Sequence, residues 1–160
     1  MEEKFKNQNK KYLIILSCSK RKKRVSNVCA IDLYDGPFFR IIRKNKPKNL
    51  DILILSAKYG LIEYNEKISY YEQKMSPERA RELANEVFTK LAIKLKNTFY
   101  DYIAVNLGKS YILAFEKCKD ILDEYRVYWI DGQIGERLHK FKNWINSINT
   151  EMKVHNDHLG

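Results

Sequence analysis

The chain has 160 residues, of which 44% are hydrophobic and 31% charged; this suits one folded domain and excludes a disordered chain. Its net charge of +10 favours a polyanionic partner. Even the longest apolar runs, such as residues 12–16, are far too short for a membrane span, and no signal-peptide pattern begins the chain, so we expect a cytoplasmic protein with no membrane contact. The three cysteines form no Cys-x-x-Cys pair, so we expect neither a metal site nor a disulfide scaffold.

Apolar patterning predicts strands and helices in alternation. Residues 1–11 are polar and charged and are expected to form a flexible lead-in. Continuous apolar runs, typical of strands buried on both faces of a parallel sheet, cover residues 12–16, 50–55, 102–105 and 125–130. Helices are predicted at residues 37–44, 76–96, 110–118 and 134–148. Residues 149–160 are expected to form a disordered tail.

This order of elements determines the predicted fold class. Strands that alternate with helices imply right-handed crossovers and helices on both faces of a sheet. We therefore predict a single α/β domain over residues 12–148. Its architecture is a three-layer sandwich with a mostly parallel, Rossmann-like sheet of four to five strands.

The positive charge is concentrated in the first third of the chain. Residues 1–48 hold 14 of the 30 basic residues but only 4 of the 20 acidic ones, so the whole excess of +10 lies there. A run of five basic residues, Lys20, Arg21, Lys22, Lys23 and Arg24, is assigned to contacts with a nucleic-acid backbone. The alternative is a solvated loop that serves solubility.

Small and polar residues follow each predicted strand. In open α/β sheets, ligands bind beyond the carboxyl ends of the strands. Exposed amides, hydroxyls and cations at such ends favour an anion site. The triplet Gly108-Lys109-Ser110 lacks the upstream glycine of a phosphate-binding loop and gives little support to a nucleotide triphosphatase. The residues assigned to substrate binding are Ser17, Cys18, Ser19, Lys20, Tyr34, Ser56, Tyr59, Gly60, Tyr71, Asn106, Gly108, Tyr111, Gly135 and Arg137.

Three further side chains are candidates for catalysis. Asp32 and Glu72 each lie close to a tyrosine in sequence, and an aromatic ring beside a carboxylate can stack a base and stabilise a cationic sugar. Lys58 is the third candidate, as a proton donor or a Schiff-base nucleophile. Cys18 lies between two serines near basic residues, but no histidine is near it in sequence, so a structural role is favoured over a nucleophilic one.

Several segments resemble a bacterial, archaeal and phage domain family whose pattern runs C-S-K, D-L-Y-x-S-x-x-F, S-A-K-Y-G-L-L and I-x-x-Y-D. The matching segments here are residues 18–20, 30–39, 55–62 and 68–72, and a late G-x-x-I-G-x-R-L is similar to residues 131–138. The middle also resembles the DNA-binding YaaA peroxide-stress proteins. The first segment is more distantly similar to a domain attached to archaeosine synthase and related transglycosylase-type enzymes.

The resemblance implies an α/β domain associated with nucleic acid, and it brings no established reaction. The sequence departs from the family pattern at two positions. Gly36 occupies the position where the pattern has Ser, so a hydroxyl there is not essential in this protein. Glu72 replaces Asp, which moves the carboxylate by one methylene.

The function predicted from these features is an enzyme that acts on a nucleic-acid base, as an N-glycosidase or a base-exchange enzyme on a modified base. Arg137 and the Lys20 loop would hold phosphates, while Tyr34 and Tyr59 would stack the extruded base. Asp32 or Glu72 would stabilise the oxocarbenium-like sugar or activate water.

Two other functions stay open at this point, a non-catalytic DNA-binding module of the YaaA type and a small nucleotide or nucleoside hydrolase. DNA is favoured over RNA as the partner. Neither a metal nor a cofactor is implied, and the sequence leaves the oligomeric state open.

Overall fold

The computed structural model describes residues 10–159, with side chains described through Glu151. Residues 1–9, most of the predicted lead-in, lie outside this range. Within it the chain runs through β1 (Tyr12–Ser17), β2 (Val28–Cys29), α1 (Ala30–Leu33), α2 (Pro37–Asn45), β3 (Leu50–Ser56), β4 (Gly60–Glu63), β5 (Lys67–Ile68), α3 (Pro77–Asn97), β6 (Tyr102–Asn106), a 3₁₀ segment (Lys109–Cys118), α4 (Lys119–Leu122), β7 (Val127–Trp129) and α5 (Ile134–Leu159).

A five-stranded, mostly parallel sheet forms the centre of the molecule, in the order β4-β3-β1-β6-β7. Strand β1 pairs in parallel with β3 and β6, and β6 pairs in parallel with β7. Strand β4 is antiparallel to β3. Strands β2 and β5 form a separate antiparallel pair. The predicted three-layer, Rossmann-like sandwich is thereby confirmed.

Two apolar layers enclose the sheet, because residues along each strand point alternately to its two faces. On one face Ile14 and Ile52 pack with Phe39 of α2 and Phe141 of α5. The opposite face is covered by α3 and the 3₁₀ segment, whose buried side chains include Leu91 and Phe115. The continuous apolar runs in the strands follow from this burial on both sides.

Helix α3 begins as predicted. Ser76 caps it, since the Ser76 side chain accepts a hydrogen bond from the backbone amide of Arg79 at 3.1 Å, and Pro77 occupies the first helical position. No helix within the part of the chain that the structure describes is long and apolar enough to traverse a bilayer.

Three predicted elements differ from the structure in type or by two or more residues in extent. The fourth strand is shorter than residues 125–130, because β7 covers only Val127–Trp129. The helix predicted at 110–118 is a 3₁₀ helix of 10 residues. Over so short a segment, the spacing of apolar residues does not distinguish a helix with 3.0 residues per turn from one with 3.6. Helix α5 continues past Ile148 to Leu159, whereas residues 149–160 were expected to form a disordered tail; Gly160 lies outside the described residues.

Candidate functional site

The carboxyl ends of three neighbouring strands bring small polar residues to one edge of the sheet. Leu16 lies opposite Asn106, and Ser17 lies opposite Leu55, so Ser17, Ser56 and Asn106 end adjacent strands at nearly the same level. The Ser17 hydroxyl accepts a hydrogen bond from the Gly108 amide at 2.9 Å, which ties the turn after β6 to β1. The carboxyl ends of β1, β3 and β6 therefore lie at the same edge of the sheet.

A cluster of hydroxyl and thiol groups occupies this edge. Its members, called the hydroxyl cluster below, are Cys18, Tyr34, Ser56, Tyr71 and Tyr111. The Tyr71 hydroxyl lies 2.7 Å from the Tyr34 hydroxyl and 2.8 Å from the Ser56 hydroxyl. The Cys18 sulfur lies 2.9 Å from the Tyr111 hydroxyl. Residues from five separate segments thus come together through their polar atoms.

Ser56 also organises the turn that follows β3. Its hydroxyl accepts hydrogen bonds from the backbone amides of Lys58 at 3.2 Å and Tyr59 at 3.0 Å. From α3, the guanidinium of Arg79 donates to the carbonyls of Ala57 at 2.7 Å and Lys58 at 2.8 Å. Gly60 then begins β4 at φ 75°, a backbone conformation that favours glycine. The conformation of this turn therefore accounts for the glycine at position 60.

Burial keeps the phenols of the hydroxyl cluster neutral. It raises the pKa of Tyr34, Tyr71 and Tyr111 well above the ordinary value of 10.0, and the negative charge that Cys18 would carry as a thiolate adds to the effect. These hydroxyls therefore donate and accept hydrogen bonds at neutral pH and do not serve as anionic bases.

The raised pKa values predict a loss of stability at alkaline pH. Phenols in the unfolded chain ionise near their ordinary pKa, whereas the same groups in the folded protein stay protonated, so the free energy of unfolding is highest below about pH 10 and falls above it. Urea unfolding at a series of pH values measures this decline. The Tyr34→Phe/Tyr71→Phe double variant should show a shallower decline, and an unchanged slope would contradict the prediction.

The basic run is attached to the hydroxyl cluster. The Lys23 amide donates to the Leu33 carbonyl and the Asp35 amide donates to the Arg21 carbonyl, each at 2.9 Å, which holds the run alongside the segment that contains Tyr34. The Lys22 ammonium lies 4.6 Å from the centroid of the Tyr71 ring. Lys20, Arg21, Lys23 and Arg24 are exposed. The cations predicted to contact a nucleic-acid backbone thus adjoin the predicted base-binding residues.

Ser19 joins the start of this run to the start of α2. Its hydroxyl donates to the Arg21 carbonyl at 2.6 Å and accepts from the Gly36 amide at 3.2 Å. The approach is so close that a Cβ at position 36 would lie 2.7 Å from the Cβ of Ser19. The backbone geometry here requires a glycine.

Arg137 is held in a fixed position beyond the end of β6. Its Nε donates to Oδ1 of Asn106 at 3.0 Å, and its guanidinium lies 5.1 Å from the centroid of the Phe38 ring. Asn106 is only 1% exposed, and burial lowers the pKa of Arg137 from its ordinary value. Among the residues whose side chains are described, Arg137 forms no ion pair. A half-buried arginine without a carboxylate partner is suited to an anionic ligand.

The chain matches the family DUF6884, described as a family of unknown function, over residues 13–143. It belongs to this family. No curated protein matches it. A crystal structure of AF0587, described as a protein of unknown function, is similar over 88% of this chain, with a TM-score of 0.54 and 14% sequence identity. This chain spans 48% of that structure, and the likeness concerns the fold alone.

The membership in DUF6884 agrees with the uncharacterised family that the motifs indicated. Within this DUF6884 chain, the predicted catalytic carboxylates lie outside the hydroxyl cluster. Asp32 is exposed on α1, and Glu72 is exposed and accepts a hydrogen bond from the Tyr70 hydroxyl at 2.8 Å. The exposed Lys58 places its ammonium 5.3 Å from the centroid of the Tyr59 ring. These three side chains border the cluster in sequence, but the structure gives them no hydrogen bond to it.

The other predicted binding residues fall into distinct environments. Tyr59 is half-buried, lies edge-on to Tyr71 with ring centroids 5.4 Å apart, and donates its hydroxyl to the Ser69 carbonyl at 3.2 Å. Gly135 is exposed in the first turn of α5. Within residues 10–151, no three His, Cys, Asp or Glu side chains come together in a way that would hold a metal ion.

Two arginines that support this DUF6884 site were not among the predicted residues. Arg79 fixes the turn after β3, and Arg43 donates to the carbonyls of Ile31 at 2.7 Å and Tyr34 at 2.6 Å. Both act on backbone carbonyls that are distant along the chain. A basic residue on an amphipathic helix carries no local signal of such a contact, so the sequence offered no way to find them.

Proposed function

We propose that this protein binds a nucleic acid through residues 20–24 and releases one of its bases by hydrolysis of the N-glycosidic bond. The observation that carries the proposal is the position of Lys22. Its ammonium lies over the Tyr71 ring, and the Tyr71 hydroxyl contacts those of Tyr34 and Ser56. In our proposal the basic run holds the phosphates, and the adjoining surface beside Tyr71 and Tyr59 receives the base.

The basic run supplies the contacts to the backbone. Lys20, Arg21, Lys23 and Arg24 are exposed and belong to one short segment, so several neighbouring phosphates can be neutralised together. Such contacts fix the register of a strand without reading its sequence. A base next to them has to leave a duplex before its glycosidic bond can be reached.

The roles of the two predicted stacking residues differ. The Tyr34 ring is 0% exposed and packs against Phe39 with ring centroids 5.1 Å apart, so it is not available to a ligand. In our proposal Tyr34 positions Tyr71, and Tyr59, which is half-buried with Lys58 over its ring, offers the face on which a base stacks.

The hydrolysis needs a carboxylate and a proton donor. In the proposed reaction water attacks the anomeric carbon, its proton passes to Glu72 or Asp32, and the bond from carbon to base nitrogen breaks. Lys58 gives a proton to the departing nitrogen, so the base leaves neutral. Glu72 directly follows Tyr71 in the chain, so it is the first choice for the carboxylate.

One observation favours a second function, that of a binding module without catalysis. Asp32 and Glu72 are both exposed, and Glu72 is engaged by the Tyr70 hydroxyl. Catalytic carboxylates usually lie in the cleft that binds the substrate, where their environment is controlled. A module that only binds needs the basic run and the hydroxyl cluster and does not need these acids.

Incubation of the purified protein with genomic DNA, modified phage DNA and bulk tRNA, followed by mass spectrometry of released bases, tests the proposal. We expect one base to be released, and release to be lost in Glu72→Gln or Asp32→Asn. Glu78→Gln, an exposed acid in the first turn of α3, is the matched control and should keep full activity. Binding without release from any substrate would instead support the binding module, provided that neutralising residues 20–24 weakens it.

A further inference from the structure

A cleft of about 640 Å³ opens at the other half of the same sheet edge, between the 3₁₀ segment and the ends of β6 and β7. Its floor is apolar and consists of Val105, Leu107, Phe115 and Ile130. The hydroxyl cluster lies at the ends of β1 and β3, so the two features occupy different halves of the edge. The volume and the apolar floor suit a small molecule or one unit of a polymer.

Trp129 forms one wall of the cleft. Its side chain is 41% exposed at the end of the edge strand β7. The indole lies edge-on to the buried ring of Phe115, with centroids 6.4 Å apart. An exposed aromatic ring held by a buried one offers a preformed surface for a planar ligand.

The rim of the cleft is positively charged. Lys109, Lys119 and Arg137 face Asp123 and Asp131 around it. Asp131 is already paired, because its Oδ1 lies 2.8 Å from the Lys140 ammonium. The cations therefore outnumber the unpaired acids.

Arg137 is the best-defined cation of the rim. Its Nε is engaged by Asn106 and its face by Phe38, so the group is oriented before any ligand arrives. Its terminal nitrogens make no ion pair with any described side chain. An oriented guanidinium fits a phosphate better than a mobile lysine does.

We propose that this cleft binds a phosphorylated nucleoside unit, with the base stacked on Trp129 and the phosphate held by Arg137. The choice of a nucleotide rests on the proposed function, since a strand bound along the edge would place a flanking nucleotide here. The same chemistry can come from a free nucleoside monophosphate or from a nucleotide within a single strand.

Tryptophan fluorescence tests the inference, because the chain has two tryptophans. In Trp144→Phe, Trp129 is the single tryptophan. We expect saturable quenching by adenosine monophosphate or by a short single-stranded oligonucleotide. In the same background Arg137→Met should weaken binding about tenfold or more, whereas the matched control Lys142→Met, an exposed lysine on the same helix, should leave it unchanged.

The ligand series separates the two sources. Quenching by the mononucleotide supports a site for free nucleotides, and quenching by the oligonucleotide alone supports a flanking site on a bound strand. Absence of quenching by both, or equal effects of Arg137→Met and Lys142→Met, would overturn the inference.

Calorimetric titration of wild type against Arg137→Met repeats the test if Trp144→Phe does not fold. Base release with no quenching refutes only this inference, and quenching with no base release refutes only the glycosidase.

Discussion

We expect Arg43→Met to lower the free energy of unfolding by about 3 kcal/mol. Arg43 lies on α2 and is largely buried. Its Nη1 donates to the carbonyls of Ile31 and Tyr34, and its Nη2 donates to Oδ1 of Asp35 at 3.1 Å. Methionine keeps most of the volume but leaves the two part-buried carbonyls without their charged donor. Chemical denaturation of the variant and the wild type measures the difference.

Arg40 provides the matched control for this substitution. It lies one turn earlier on the same helix and pairs with the same carboxylate, Asp35, at 3.1 Å, but its side chain is 55% exposed. Arg40→Met should therefore change the stability far less, since exposed ion pairs contribute little. Because Arg43 holds the Tyr34 carbonyl, we also expect Arg43→Met to weaken nucleic-acid binding. Equal stability losses in the two variants would show that the carbonyl contacts are unimportant.

We expect Ser56→Ala to lower the free energy of unfolding by about 2 to 3 kcal/mol. The Ser56 hydroxyl is fully buried, accepts from two amides and contacts the Tyr71 hydroxyl. Its loss leaves the amides of Lys58 and Tyr59 without a partner, and the Tyr71 hydroxyl keeps only its contact with the Tyr34 hydroxyl. The turn after β3 should lose its geometry, and base release should fall with it.

Ser110→Ala is the corresponding control, because Ser110 is exposed in the first turn of the 3₁₀ segment. It should be neutral in both denaturation and base release. Tyr34→Phe removes one hydrogen bond of the same network and should give an intermediate loss of stability. If Ser56→Ala were as stable as Ser110→Ala, the Ser56 hydroxyl would have no structural role.

The parallel core of the fold was predictable because its signal is local. Strands β1, β3 and β6 are buried on both faces, so their apolar runs stand out from the polar segments around them. Because these strands are parallel, their carboxyl ends meet at one edge of the sheet, and the polar residues that follow them could be placed together. The cap and proline of α3 likewise act within a few residues and were visible in the sequence.

The details of the site were less predictable because they depend on contacts between distant segments. The Tyr34 hydroxyl meets that of Tyr71 across 37 positions, and nothing near either residue signals that contact. Strands β2 and β5 have two residues each, too few to show a period. The solvent exposure of Asp32 and Glu72 could not be predicted from the sequence either, since a carboxylate beside an aromatic residue occurs both in clefts and on open surfaces.

The glycine at position 36 acts as a spacer between two segments. Its missing Cβ lets the loop after β1 approach the start of α2 more closely than any side chain would permit. A serine there, as in the pattern D-L-Y-x-S, would force the two segments apart, because Cβ atoms do not approach to 2.7 Å. In this chain the glycine therefore sets the distance between α2 and the loop that continues into the basic run.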